Sequence, residues 1–224
     1  MMKYLILFCG LFSVIFSRSY ALDVGDITSF IYSDQNTMGK EIANPTDNGR
    51  LITLRIKKLS SPLADGKIIT TGNSRREVLM TPASLLLPAH SKEIVRFYYQ
   101  GPADNQERYY RIDWRDQSLS RIPAENTARE AIATSSAQIG TLLVVAPRQV
   151  RYAWQYRNST LFNTGNATLR VVAYGPCRSA TDGKECRENY YLLPGKNRAF
   201  SRVNVAIRQG HIGLWQAATF VAVK

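Results

Sequence analysis

This sequence predicts an all-β protein built as two β-sandwich domains in tandem. Three observations carry that expectation. From Leu22 onward the apolar residues recur with period two, the pattern of a strand with one buried and one exposed face. Turn-forming residues interrupt it at roughly every eight to fifteen positions. Pro147, which has no amide hydrogen for a ladder, divides a stretch with room for about seven strands from one that reads as about five. A composition of 45% hydrophobic and 21% charged residues over 224 positions excludes disorder and collagen-like chains.

Residues 1–21 stand apart from the rest. Lys3 supplies a positive start, residues 4–16 are apolar, and Ser19-Tyr20-Ala21 places small residues where a signal peptidase reads. The apolar run is shorter than the roughly 18 residues a membrane span needs, so a cleaved secretory signal ending at Ala21 is expected and not an anchor. No later stretch reaches membrane-spanning length. The net charge of +12 is spread, with no Lys/Arg run longer than a pair, which favours a solvated basic surface over nucleic-acid binding.

The first domain, 22–147, opens its clear strands at Ile52, Leu54 and Ile56, which alternate with Thr53, Arg55 and Lys57. Ile94, Arg96 and Tyr98 alternate with Val95, Phe97 and Tyr99, another strand with an inward and an outward face. Tyr110, Ile112 and Trp114 form an inward series opposed by Arg111, Asp113 and Arg115, which reads as a central strand. Residues 124–133 have helical composition and lead into a β-permissive run over 131–145 that stops at Pro147. In the second domain, 148–224, strands are expected over 152–156, 167–174, 190–193, 198–203 and 213–223. With no long linker between the domains, their mutual angle should be fixed.

Cys9 leaves with the signal, and Cys177 and Cys186 remain as a pair bracketing a turn-rich stretch that contains Asp182-Gly183. In an exported chain that spacing predicts a local disulfide. His90 and His211 lie at no ligand spacing to the pair, so neither metal nor cofactor is expected. Starting residues for hydrolase, redox or nucleotide chemistry are missing from the motifs, and Asp113 and Asp116 stand among arginines as ion-pair partners, so no enzymatic activity is expected. Asn158-Ser159-Thr160 and Asn166-Ala167-Thr168 fit a glycosylation pattern but read as turn and strand residues.

Several ordered segments resemble the periplasmic pilus chaperones of the chaperone/usher pathway. In the first domain these are Asn44-Pro45-Thr46, the stretch from Val78 through Thr81-Pro82 and Pro88-Ala89-His90 to Phe97, Glu107-Arg108-Tyr109-Tyr110-Arg111, and Leu142-Leu143-Val144-Val145-Ala146-Pro147. In the second domain they are residues 162–169 and Leu193-Pro194-Gly195-Lys196. Leu22-Asp23-Val24-Gly25-Asp26-Ile27 and Tyr174-Gly175-Pro176-Cys177 are similar to the common-pilus branch of that family.

The resemblance implies two immunoglobulin-like sandwiches and a periplasmic protein that binds pilus subunits and hands them to an outer-membrane usher. A subunit lacking the last strand of its own fold exposes an aggregation-prone groove, which the chaperone fills with a strand of its first domain. Here that lent strand falls on 131–145, and counting back from Pro147 puts Ala131, Ala133, Ser135, Ala137, Ile139, Thr141 and Leu143 on one face, with insertion of Ile132 and Thr134 from the other face as the alternative. The family also anchors the subunit's terminal carboxylate with two basic residues, and the matching positions, Ser29 and Leu142, are not basic. Arg111 and Arg96, each inside an apolar strand, are the substitute anchors, with an internal ion pair as the competing role. An exported structural or adhesive pilus component is the alternative function, disfavoured because the chain carries two domain-sized strand sets.

Overall fold

A computed structural model describes residues 22–70, 77–119, 136–179 and 183–224. Among the described residues the first sandwich has nine strands: β1 (Thr28–Ile31), β2 (Thr37–Ala43), β3 (Arg50–Leu59), β4 (Ile68–Ile69), β5 (Val78–Thr81), β6 (Ser84–Leu87), β7 (Lys92–Tyr99), β8 (Arg108–Ser118) and β9 (Ser136–Val145). One sheet runs β1-β9-β8-β3-β4 with β6 also on β3, and the facing sheet runs β2-β7-β5. All these pairings are antiparallel except β1 with β9, which is parallel with Thr28 opposite Leu142.

Strand β8 is central, as the alternation predicts. Tyr110, Ile112 and Trp114 are fully buried against Val95, Phe97 and Tyr99 of β7, and the Phe97 and Trp114 rings meet edge-on at 6.3 Å. The opposite faces of β8 hold the two carboxylates apart. Asp113 faces outward to Lys57 (2.6 Å) and Arg111 (2.7 Å), while the wholly buried Asp116 faces inward to Arg50. They do not converge on a common point, so each serves as the partner of a cation.

The second sandwich comprises β10 (Trp154–Arg157), β11 (Thr160–Asn163), β12 (Leu169–Pro176), β13 (Glu185–Leu192), β14 (Asn197–Ala199), β15 (His211–Gln216) and β16 (Thr219–Ala222). Its sheets run β10-β11-β14 and β13-β12-β15-β16 around a separate core of Leu161, Val171, Phe200, Val205 and Leu214. Two expectations fall here. The stretch 213–223 is a hairpin and not one strand, because Ala217 adopts φ 52° and turns the chain between β15 and β16. Strand β11 escaped the periodicity because Asn158 and Ser159, both at positive φ, form a two-residue turn that returns the chain at once. The helix-forming composition of 124–133 lies outside the described residues.

One buried asparagine organises the loops of each sandwich. Asn44, just past β2, donates to the carbonyls of Asn48 and Pro88, and its oxygen accepts from the Thr46 amide. Asn163, at the end of β11, donates to the carbonyls of Ala167 and Leu192 and accepts from the Gly165 amide. Each amide thereby satisfies backbone groups that burial would otherwise leave without partners.

Cys177 and Cys186 are joined, with Cα atoms 4.9 Å apart, at the loop end of the β12–β13 hairpin. The short closed loop makes this a local stiffener. Replacing both cysteines by serine is expected to cost about 2–3 kcal/mol in the second domain, read as an earlier urea midpoint that reductant no longer moves.

The two domains meet through an extensive polar junction. Glu107, at the foot of β8, accepts from the Thr168 amide (2.6 Å), the Thr168 hydroxyl (2.5 Å) and the Tyr109 hydroxyl (2.7 Å). Asn166 donates to the carbonyls of Asn105 and Gln149, both at 2.9 Å. Arg148, directly after Pro147, donates to the carbonyls of Tyr32 and Gln35 and lies 4.9 Å from the centre of the Tyr99 ring. Phe30 of β1 packs on Tyr191 of β13 at 5.1 Å. Contacts made from both domains to one short connection hold their angle, as the missing linker predicts.

Candidate functional site: a half-bare strand edge and a cationic junction

Strand β9 is paired along its whole length on one side only. Its register with β8 runs from Ser136 to Val145, whereas β1 covers just Leu142 to Val145. Among the described residues, 136–141 have no strand on the other side. The Leu142 amide donates to the Ile27 carbonyl on the β1 side, so by alternation the backbone groups of Gly140, Gln138 and Ser136 point to the same, uncovered side.

The expected lent-strand residues divide into three groups. Ala131, Ala133 and Ser135 lie outside the described residues. Ala137 is exposed, and the half-buried Ile139 packs at the rim of the domain's own core. Thr141 and Leu143 are committed at home: Leu143 is fully buried, and the Thr141 hydroxyl takes the Trp114 indole hydrogen at 2.8 Å. Their side chains fill the first sandwich, so what can be lent ends near Thr141.

The premise for the substitute anchors fails. Arg111 and Arg96 sit in apolar strands but on the outward phase of each, and both are exposed. Arg111 lies over Gly140 and bonds to Asp113, the internal pairing that competed with an anchor role. Arg96 stands on β7 in the facing sheet. The two therefore project from opposite outer faces of the sandwich and cannot grip one carboxylate.

Lys40 occupies the position that sequence reasoning missed. It is 6% exposed and shares the inward phase of β2 with Met38 and Ile42. Its ammonium donates to the Asp26 carbonyl (2.5 Å) and to the hydroxyl of Ser29 (3.1 Å), the β1 residue expected to be basic. Burial holds its pKa below the usual lysine value, opposed in part by Asp26 and Asp23. The cation that β1 lacks thus arrives beside it from β2. A lysine in phase with core residues was the available signal.

Lys40 opens onto a cleft of about 480 Å³ whose far wall includes Arg170 of β12 and Tyr191 of β13. Of the acidic groups on this cleft, Glu41 is engaged by Lys92 at 2.8 Å and Asp26 stands at the rim. Arg170 has one long contact, 3.5 Å to the Asn189 side-chain oxygen. An ammonium and a guanidinium thereby face one concavity from different domains, suited to an oxyanion such as a carboxylate.

Two immunoglobulin-like sandwiches in tandem are a fold that this chain shares with solved fimbrial chaperones. The class 5 fimbriae chaperone CfaA superposes with TM-score 0.53 at 14% identity, over 90% of this chain and 97% of that one. A chain of a chaperone–tip adhesin complex of CFA/I fimbriae biogenesis superposes with TM-score 0.50 at 13% identity, over 91% of this chain and 97% of that one. Residues 152–223 match the EcpB C-terminal domain. The chain is 58% identical over its full length, and that of the relative, to the "Probable fimbrial chaperone EcpB" of Escherichia coli O157:H7, and 57% identical to that of strain K12. It belongs to the EcpB family of fimbrial chaperones.

Proposed function

We propose that this chaperone captures pilus subunits in the periplasm by completing their sheet with β9 and delivers them to an outer-membrane usher. The observation that carries the reading is the uncovered edge of 136–141, a ladder of backbone donors and acceptors beside inward-phase Ala137 and Ile139. A strand seated there restores the backbone bonds of both chains and closes the partner's groove. Continuation of the strand upstream would add Ser135, Ala133 and Ala131, small residues suited to a shallow groove. Lys40 and Arg170 take over the carboxylate-anchoring role first given to Arg111 and Arg96. Residues 1–21 act as a cleaved export signal, 22–147 form the strand-lending domain and 148–224 the second domain.

Gln138→Pro tests the reading. The Gln138 amide points to the uncovered side, so proline there removes a donor from the edge while leaving the β8 ladder intact. The tagged variant recovered from the periplasm is expected to keep its circular dichroism spectrum and to lose, at least tenfold, the exported pilus subunit that co-purifies with the unaltered chain. Retention of the subunit, or absence of any pilus subunit from the unaltered chain, overturns the assignment.

A further inference from the structure

A second concavity adjoins the cationic cleft. It measures about 160 Å³, is lined almost wholly by carbon, and is bounded by Leu63 of the β3–β4 loop, Leu142 and Val144 of β9, and Leu193 after β13. Thr28, Phe30 and Tyr191 line both concavities, so the two flank one shared wall.

Their position is set by the uncovered edge. A partner strand lying along 136–141 and running parallel to β9 meets the start of β1 at Thr28, opposite Leu142, and must end there. Thr28 is one of the three residues shared by the cleft and the pocket. An antiparallel partner would instead bring its N-terminal ammonium to Lys40 and Arg170, which repel it. Lys40 uses two of its three donors on Asp26 and Ser29 and has a third for an incoming oxygen.

Resting on the strand-lending reading above, we propose that the junction selects partners by their last residue: Lys40 and Arg170 hold its carboxylate, and the pocket walled by Leu63, Leu142, Val144 and Leu193 holds a large apolar side chain. Charge brings the chain end to the junction, and the pocket discriminates among ends. An end with a small or polar side chain leaves the pocket unfilled or a polar group desolvated.

The test is a titration of the isotope-labelled chain, followed by amide resonances, with three synthetic hexapeptides taken to millimolar concentration. One ends in leucine with a free carboxylate, one is its C-terminal amide, and one ends in serine with a free carboxylate. The leucine acid is expected to bind about tenfold more tightly than either of the others, shifting Leu63, Leu142 and Val144. Leu63, 46% exposed at the pocket mouth, can change without loss of the fold. Leu63→Asp should erase the leucine-over-serine preference and keep the acid-over-amide preference, and Lys40→Met should do the reverse. Equal binding of the leucine and serine acids, or a preference that survives Leu63→Asp, overturns the proposal. If the unaltered chain still captures a pilus subunit in that case, only the pocket's role falls. If neither peptides nor subunits bind, the strand-lending reading falls with it.

Discussion

Trp114→Ala is expected to lower the stability of the first domain by about 3–5 kcal/mol while leaving the second domain's transition in place. Trp114 is fully buried at the centre of β8, meets the Phe97 ring, and spends its indole hydrogen on the Thr141 hydroxyl at 2.8 Å. Alanine leaves a ring-sized cavity and a buried hydroxyl without its donor, two separate penalties. Urea unfolding followed by circular dichroism reads the result as two transitions where the unaltered chain shows closer ones. Equal displacement of both transitions would mean that the two cores melt as one. Because Thr141 belongs to β9, the same change should loosen the root of the strand proposed to be lent and weaken subunit capture more than the stability loss alone implies.

Glu107→Ala is expected to release the junction between the domains. The Thr168 amide and hydroxyl both lose their acceptor, at about 1–3 kcal/mol, so exchange of the Thr168 amide should quicken by roughly tenfold to a hundredfold. Small-angle scattering should show a broader spread of shapes, and unchanged scattering with unchanged exchange would assign the fixed angle to Arg148, Asn166 and the Phe30–Tyr191 packing instead. Burial holds the Glu107 carboxyl above the ordinary glutamate value of 4.5 despite its hydrogen bonds from Thr168 and Tyr109. The docked junction therefore binds a proton more tightly than a separated one. Its docking strengthens as pH falls through the raised value towards 4.5 and weakens as pH rises through the same window. Glu107→Gln should flatten that dependence.

Legibility in the sequence followed the range of the forces. Strands whose register depends on their own alternation, such as β3, β7 and β8, stand where period two places them, and the Cys177–Cys186 pair needed only nine residues of spacing. Strand β11 and the β15–β16 hairpin were lost because their turns use Asn158, Ser159 and Ala217 at positive φ without glycine, which hides the reversal. Of the candidate site, the strand that ends before Pro147 was readable, but how much of its edge stays uncovered was not. That limit is set by how far β1 reaches along β9, a contact between segments more than a hundred residues apart. Arg111 and Arg96 were misjudged by strand composition, although their own phase marks them as outward. Lys40 was the converse, an inward-phase cation whose meaning appears only when Ser29 is set beside it.

The parallel pairing of β1 with β9 also sets a clock. These strands bracket the first domain, with Thr28 joined to Leu142 and Ile31 to Val145, so the sheet cannot close until almost all of its chain is available. A polypeptide that emerges from a ribosome or translocon beginning at its N-terminus holds β1 without a neighbour until residue 145 follows. Such long-range closure is slow compared with hairpin formation, since the loop entropy must be met before the contact repays it. The second domain, whose neighbouring strands are mostly close in sequence, has no equivalent wait. Throughout that interval the protein that shields other chains' open edges exposes one of its own, and the last strand to arrive is the one proposed above as the strand it lends.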